Sequence, residues 1–173
     1  MPAGEVVPGQ SLFQLESTWT DQKGETVSLE ELGGTPVVLA MVYTHCEHAC
    51  PRIVGDMRRI QADLGERAEE TRFVLVSIDP ARDTVERMAK FADETGIDED
   101  GWRVLRGEEA DVRELAAVLG VQYKRVSESD FAHSNLIHVL DRTGVIAHRQ
   151  EGLGTAPTAT VAALEGLLAT PDR

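Results

Sequence analysis

Both cysteines of the chain lie in "VYTHCEHACP", Val42 to Pro51, together with two of its five histidines. Three residues separate Cys46 from Cys50. This spacing is open to a disulfide, a redox pair or a metal site, and the residue types alone do not choose. If a helix starts near Glu47, the two cysteines stand about 40° apart around its axis, since four residues turn about 400°. Both sulfurs then face one side, while His48, two residues from each, points away. The direction of His45, ahead of the helix, is not fixed by the pattern. N–H groups at a helix start favour negative charge, so at least one cysteine is expected to be partly thiolate near neutral pH. Thiolate is both the nucleophile and the metal ligand.

Distance adds a constraint. Side chains at i and i+4 on a helix have Cβ atoms about 5–6 Å apart, whereas a disulfide wants about 3.5–4.5 Å. A bridge therefore requires Cys46 to sit in the loop, and two sulfurs splayed on the helix are placed to grip one ion. A third ligand has to come from elsewhere. In a thioredoxin-like arrangement the segment entering the penultimate strand lies beside the cysteines, and here it reads "DFAHSNLIHVLD". Redox enzymes of that fold usually carry a cis-proline there to cover the sulfurs; this chain has His133-Ser134. His138, five residues on, is expected to face the other side of the strand. Two thiolates and one imidazole make a soft, low-coordinate set that suits Cu(I). Structural zinc normally takes four protein ligands, which would call on His45 or His48 as well.

The elements that must position these residues follow from periodicity. "PVVLAMVY" and "RFVLVSID" are continuously apolar and β-branched, as strands buried on both faces are, and such strands usually belong to parallel sheets. Between them Cys50, Ile53, Val54, Met57, Ile60 and Leu64 recur at helical steps, ending at Gly65. A short strand is expected at Phe13–Leu15. "TDQKGETVSLEELGG" reads as a hairpin and a helical turn with a capping box at Ser28 and Glu31. A second capping box is expected at Asp83–Glu86, opening a helix that runs to about Gly96. "WRVLRG" is strand-like, and "EEADVRELAAVLG" is a helix closed by Gly120. "SNLIHVLD" and "VIAHRQ" form a hairpin, and a last helix follows Pro157. Alternation of this kind predicts one domain over residues 1–173: an α/β, thioredoxin-like three-layer α/β/α fold with a mixed central sheet and an N-terminal β-hairpin extension. Chemistry in open sheets sits where strands end and helices begin, and the cysteines lie at such a junction.

Composition narrows the partners. The 173 residues are 42% hydrophobic and 27% charged, an ordinary globular mix, with a net charge of −13. So acidic a chain is not expected to bind nucleic acid or an anionic lipid surface. Residues Met1 to Ser11 show neither a basic start nor an apolar run, and Val37 to Tyr43 is too short to cross a bilayer. The chain as given is expected to be soluble. Met41, Met57 and Met88 fall on apolar positions and read as core. His45, His48, His138 and His148 read as packing or solvent-facing.

The chain resembles the SCO1/SenC family of thioredoxin-fold copper-binding proteins. "YTHCEHACP" is similar to that family's YTxCxxxCP block, "VSIDPARDT" to its strand-and-loop block, and "HSNLIHVLDRTG" to its late histidine segment. "LRGEEADVRELAAVLGVQYKR" fits the stretch between, so the likeness spans roughly Gly9 to Gly152. The resemblance implies copper, one ion per chain as Cu(I) or Cu(II), bound by Cys46, Cys50 and His133. It implies delivery of copper to, or thiol maintenance of, the binuclear copper site in subunit II of cytochrome c oxidase. That subunit or another copper protein would be the recipient, with a thiol reductant or an upstream copper donor as further partners. It also implies a soluble domain facing the periplasm, held by a membrane anchor. The chain departs from the family pattern in three places. Glu47-His48-Ala49 replaces Pro-Asp-Val, Ala132 replaces an aspartate before the late histidine, and His138 replaces an aromatic residue.

Other readings stay open on the residues alone. A structural disulfide is one. Another is a thiol–disulfide oxidoreductase in which Cys46 attacks and Cys50 resolves. A third is a thiol peroxidase, although Tyr43 stands where peroxiredoxins usually have a threonine.

Overall fold

The computed structural model describes residues 11–45, 49–128 and 130–169. The described chain enters through a 3-10 turn at Leu12–Gln14, where the Ser11 hydroxyl accepts the Phe13 N–H. The strand expected at Phe13–Leu15 does not form. Leu12 donates its N–H to the Gly144 carbonyl at 2.9 Å, and the Leu15 N–H folds back onto the Leu12 carbonyl. This buries Leu12 and lays the Phe13 ring over Gly33 and Gly144. Local capping by Ser11 and the burial of Leu12 prevail over an extended segment.

Strands β1 (Thr18–Thr20) and β2 (Thr26–Ser28) form the expected hairpin, with Trp19 opposite Val27. Asp21 shapes the turn by accepting the N–H groups of Lys23 and Glu25 at 2.9 Å. The capping box is present: the Ser28 N–H donates to Glu31 Oε2 at 2.9 Å and starts the 3-10 turn Leu29–Leu32.

The chain then runs through β3 (Val37–Val42), α1 (Ala49–Leu64), β4 (Arg72–Ser77), α2 (Val85–Glu94), β5 (Trp102–Gly107) and α3 (Glu109–Leu119). Gly120 ends α3 at φ +76, a left-handed turn that a residue with a Cβ seldom adopts. A two-stranded hairpin follows, β6 (Tyr123–Arg125) and β7 (Phe131–His133). After it come β8 (Leu136–Leu140), β9 (Ile146–Glu151) and α4 (Thr158–Ala169). The main sheet has the order β2-β1-β5-β4-β3-β8-β9. Its centre, β3-β4-β5, is parallel, and the flanking pairs β3-β8, β8-β9, β1-β5 and β1-β2 are antiparallel. This is the mixed thioredoxin-like sheet the alternation predicts, with the N-terminal hairpin extending it beyond β5.

Every residue of β3 is buried, as are five of six in β4. Strands covered on both faces need helices on both sides. The apolar face read for α1 is the buried one, from Cys50 through Ile53, Val54, Met57 and Ile60 to Leu64. Each such side chain contributes about 1.5–3 kcal/mol on leaving water. Helix α4 packs against α1, β8 and β9. Among the described residues no helix is long and apolar enough to cross a membrane.

Helix α2 is capped by Thr84, whose hydroxyl accepts the Arg87 N–H at 3.2 Å, and not by Asp83. Asp83 is fully buried, and its carboxylate is taken by Thr44 and Ser77. The β6–β7 hairpin is absent from the sequence reading. Three-residue strands leave too little alternation to see, and this pair joins no strand of the main sheet.

Candidate metal centre

Strand β3 ends at Val42 and hands the chain to Tyr43 and Thr44, both still buried, and then to the half-buried His45. Helix α1 brings it back with Cys50 in its first turn, fully buried. Pro51 is tolerated there because a first-turn N–H has no intrahelical partner to lose. The Cys50 sulfur accepts the Tyr43 N–H at 3.5 Å. Cys46, Glu47 and His48 lie outside the described residues, and so does the angular relation expected between the two cysteines.

His133 is the last residue of β7, far from Cys50 in sequence. Its Nε2 stands 3.8 Å from the Cys50 sulfur. Its Nδ1 is 3.0 Å from the Ser134 carbonyl oxygen. A carbonyl only accepts, so Nδ1 carries the proton, and in the neutral ring Nε2 presents its lone pair toward the sulfur. Ligating histidines are held in this way, with one ring nitrogen donating to a backbone carbonyl.

The S···N separation fits a shared ion. Metal–sulfur and metal–nitrogen bonds of about 2.3 and 2.0 Å span such a distance at an angle of about 120°. Among the described residues no three of His, Cys, Asp and Glu come together around one point. The third donor expected from the sequence, Cys46, is outside them.

Around this pair lies a polar frame that the sequence reading missed. Asp83 accepts the Thr44 N–H at 3.2 Å, the Thr44 hydroxyl, and the Ser77 hydroxyl at 2.5 Å. Arg87 clamps Thr44 from α2, donating to its hydroxyl and its carbonyl, both at 3.1 Å. The loop that leads toward Cys46 is thus tied to β4 and α2. His45 belongs to this frame: its Nδ1 is 3.5 Å from Asp83 Oδ1. Asp79, also buried, pairs with Arg82 and, at 3.6 Å, with Arg125 of β6. The only signal for these roles was the "SIDPARDT" run itself, which reads equally well as turn and cap residues.

The remaining candidates fall elsewhere. His138 sits in β8 opposite Leu39 and Arg149, fully buried; it belongs to a different strand from His133, so the alternation expected to separate the two along one strand does not apply. Burial, reinforced by the Arg149 charge, pushes its pKa down to about 3. His148 meets the Thr160 hydroxyl at 3.2 Å. Met41, Met57 and Met88 are core residues. Ala132 is exposed and opposite Lys124, so in the strand alternation it projects to the other face of the hairpin from His133. A carboxylate at that position would not reach between sulfur and imidazole.

Comparison with known proteins bears on this geometry. The family model described as SCO1/SenC matches residues 8–169. The chain is 26% identical over 143 residues to the SCO1 protein homolog of Bacillus subtilis (strain 168), covering 81% of this chain and 74% of that one. The copper-bound structure of Bradyrhizobium japonicum ScoI is similar at a TM-score of 0.74 and 26% identity, covering 87% of this chain and 96% of that one. BsSco, a member of the Sco family of cytochrome c oxidase assembly proteins in which a disulfide switch is described, gives a TM-score of 0.77. It is 24% identical and covers 94% of this chain and 96% of its own, a likeness of fold.

Proposed function

The chain belongs to the SCO1/SenC family, and from that premise we propose that it binds one copper ion through Cys46, Cys50 and His133 and passes it to a protein that is building a copper site. The observation that carries this reading is the Cys50–His133 pair: a buried sulfur and an imidazole lone pair 3.8 Å apart, from distant parts of the chain. Cu(I) is satisfied by two thiolates and one nitrogen, so no further donor is required. The copper-bound relative supports copper as the cargo.

The residues divide the work. The Tyr43 N–H donates to the Cys50 sulfur at 3.5 Å and fixes it beside the end of β3. The Ser134 carbonyl holds Nδ1–H, which keeps Nε2 available. His133 rides on a hairpin outside the main sheet, whereas Cys50 is fixed in the core, so the imidazole is the ligand better placed to leave first. Copper would then pass by exchange with thiolates of the recipient. The recipient we propose is subunit II of cytochrome c oxidase, reached by a domain tethered on the periplasmic side of a membrane. The description of BsSco as one of a family of cytochrome c oxidase assembly proteins supports an oxidase as recipient; subunit II and the periplasmic side are taken from the family resemblance.

Dithiol chemistry at the same pair is the second reading. Cys50 is fully buried, which suits a resolving sulfur and leaves attack to Cys46. Both readings need the cysteines reduced before copper is loaded.

Anaerobic titration of the reduced protein with Cu(I) against a competing chelator tests the proposal. One tightly held ion per chain is expected. His133→Ala should weaken Cu(II) by at least about 10–100-fold, the loss that even an outer partner of a metal ligand causes, and Cu(I) by less. Unchanged copper binding in His133→Ala, together with brisk disulfide or peroxide turnover, would transfer the function to the redox readings.

A further inference from the structure

We infer that Tyr43 is a positioning residue that sets the distance between the two halves of the metal site; the inference rests on the copper reading above. Tyr43 touches both halves. Its main-chain N–H donates to the Cys50 sulfur at 3.5 Å. Its hydroxyl bridges both main-chain groups of Phe131, accepting the N–H at 3.3 Å and donating to the carbonyl at 3.5 Å. Phe131 lies two residues before His133 in the same strand. The Tyr43 ring also meets two rings of the hairpin edge-on, Phe131 at 5.2 Å and His133 at 5.8 Å between centroids.

The need for such a tie follows from the topology. The β6–β7 hairpin pairs with no strand of the main sheet, so ladder hydrogen bonds do not fix it to the body. The ion pair from Arg125 to Asp79 is one tie, but it is 3.6 Å long and the Arg125 side chain is 48% exposed. Tyr43, by contrast, is 3% exposed and stands at the end of the most buried strand. Phenylalanine would fill the same space; what it would lack is the hydroxyl, which is engaged with the hairpin backbone. Tyr43 therefore relays the rigidity of β3 to an imidazole that the sheet does not hold. Its hydroxyl bonds are long enough to be given up when His133 leaves the ion.

Tyr43→Phe tests this by two readouts, with His133→Ala alongside. In the metal-free protein, hydrogen exchange at the amides of Tyr123–His133 should accelerate about fivefold, while exchange in β3 and β4 stays at the wild-type rate. In the copper protein, Cu(II) affinity measured by chelator competition should fall about fivefold, the effect of one ordinary hydrogen bond, and Cu(I) affinity by less. Unchanged hairpin exchange and unchanged Cu(II) affinity overturn the inference, provided His133→Ala still loses copper. Equal acceleration in β3 and β4 also overturns it, because the role would then be general packing. If His133→Ala itself keeps full copper affinity, the copper reading fails, and hairpin exchange alone then decides whether Tyr43 holds the hairpin.

Discussion

Replacing His138 by leucine should stabilise the protein and remove a large part of its sensitivity to acid. The ring is fully buried in β8, and neither nitrogen has a hydrogen-bond partner. Its neighbours across the sheet are Leu39 on β3 and Arg149 on β9. Arg149 is engaged with the Leu119 carbonyl, to which it donates at 2.7 Å. Burial first, and the Arg149 charge second, lower the His138 pKa to about 3. An unfolded histidine titrates near 6.5. Between these values the unfolded chain binds a proton that the folded chain refuses, so stability falls as pH drops through 6.5 and continues to fall toward 3. At pH 4.5 two of those pK units have been lost, at about 1.4 kcal/mol each, or about 2–3 kcal/mol. At neutral pH leucine also relieves two unsatisfied ring nitrogens, which cost about 1–3 kcal/mol. Urea unfolding at pH 7.5 and pH 4.5 measures both effects. The difference between the proteins cancels the carboxylates that titrate in each. The leucine variant should be more stable at pH 7.5, and its advantage should grow by about 2–3 kcal/mol at pH 4.5. An advantage that does not grow with acid would show that His138 takes up its proton in the folded state, and the reasoning from burial would be wrong.

Asp83→Asn should cost about 2–4 kcal/mol, because a buried acceptor of three donors becomes half donor; chemical denaturation reads it, and a loss below about 0.5 kcal/mol would contradict the frame described around Thr44. Gly107→Ala should cost about 1–3 kcal/mol. A Cβ at Gly107 would come 2.6 Å from Cε3 of the Trp19 ring, which is itself core. The shift should appear as altered tryptophan emission and a lower melting temperature, and a variant with both unchanged would refute this close contact.

Much of the fold was legible because its central strands are unbroken apolar runs. Val37–Val42 and Arg72–Ser77 could be read as buried parallel strands before any coordinate, and the helical steps from Cys50 to Leu64 gave α1 its buried face. The errors share one cause: competition between local hydrogen-bonding options that sequence does not rank. Ser11 turns Leu12–Gln14 into a 3-10 segment where apolar spacing suggested a strand. Thr84 and Asp83 are both good caps, and only the pull of Thr44 and Ser77 on the Asp83 carboxylate decides between them. In the site, the approach of His133 to Cys50 could be anticipated from a thioredoxin-like strand order together with the family resemblance. Tyr43 could not, since its role depends on a hairpin of two three-residue strands.

The central claim is that two sulfurs and one imidazole meet at a single copper ion, and X-ray absorption at the copper edge of the reduced, Cu(I)-loaded protein tests it directly. The account predicts two sulfur scatterers and one nitrogen with the outer-shell pattern of an imidazole, and loss of that pattern in His133→Ala with both sulfurs retained. A first shell of oxygen and nitrogen alone, or an imidazole signal that survives in His133→Ala, would contradict it.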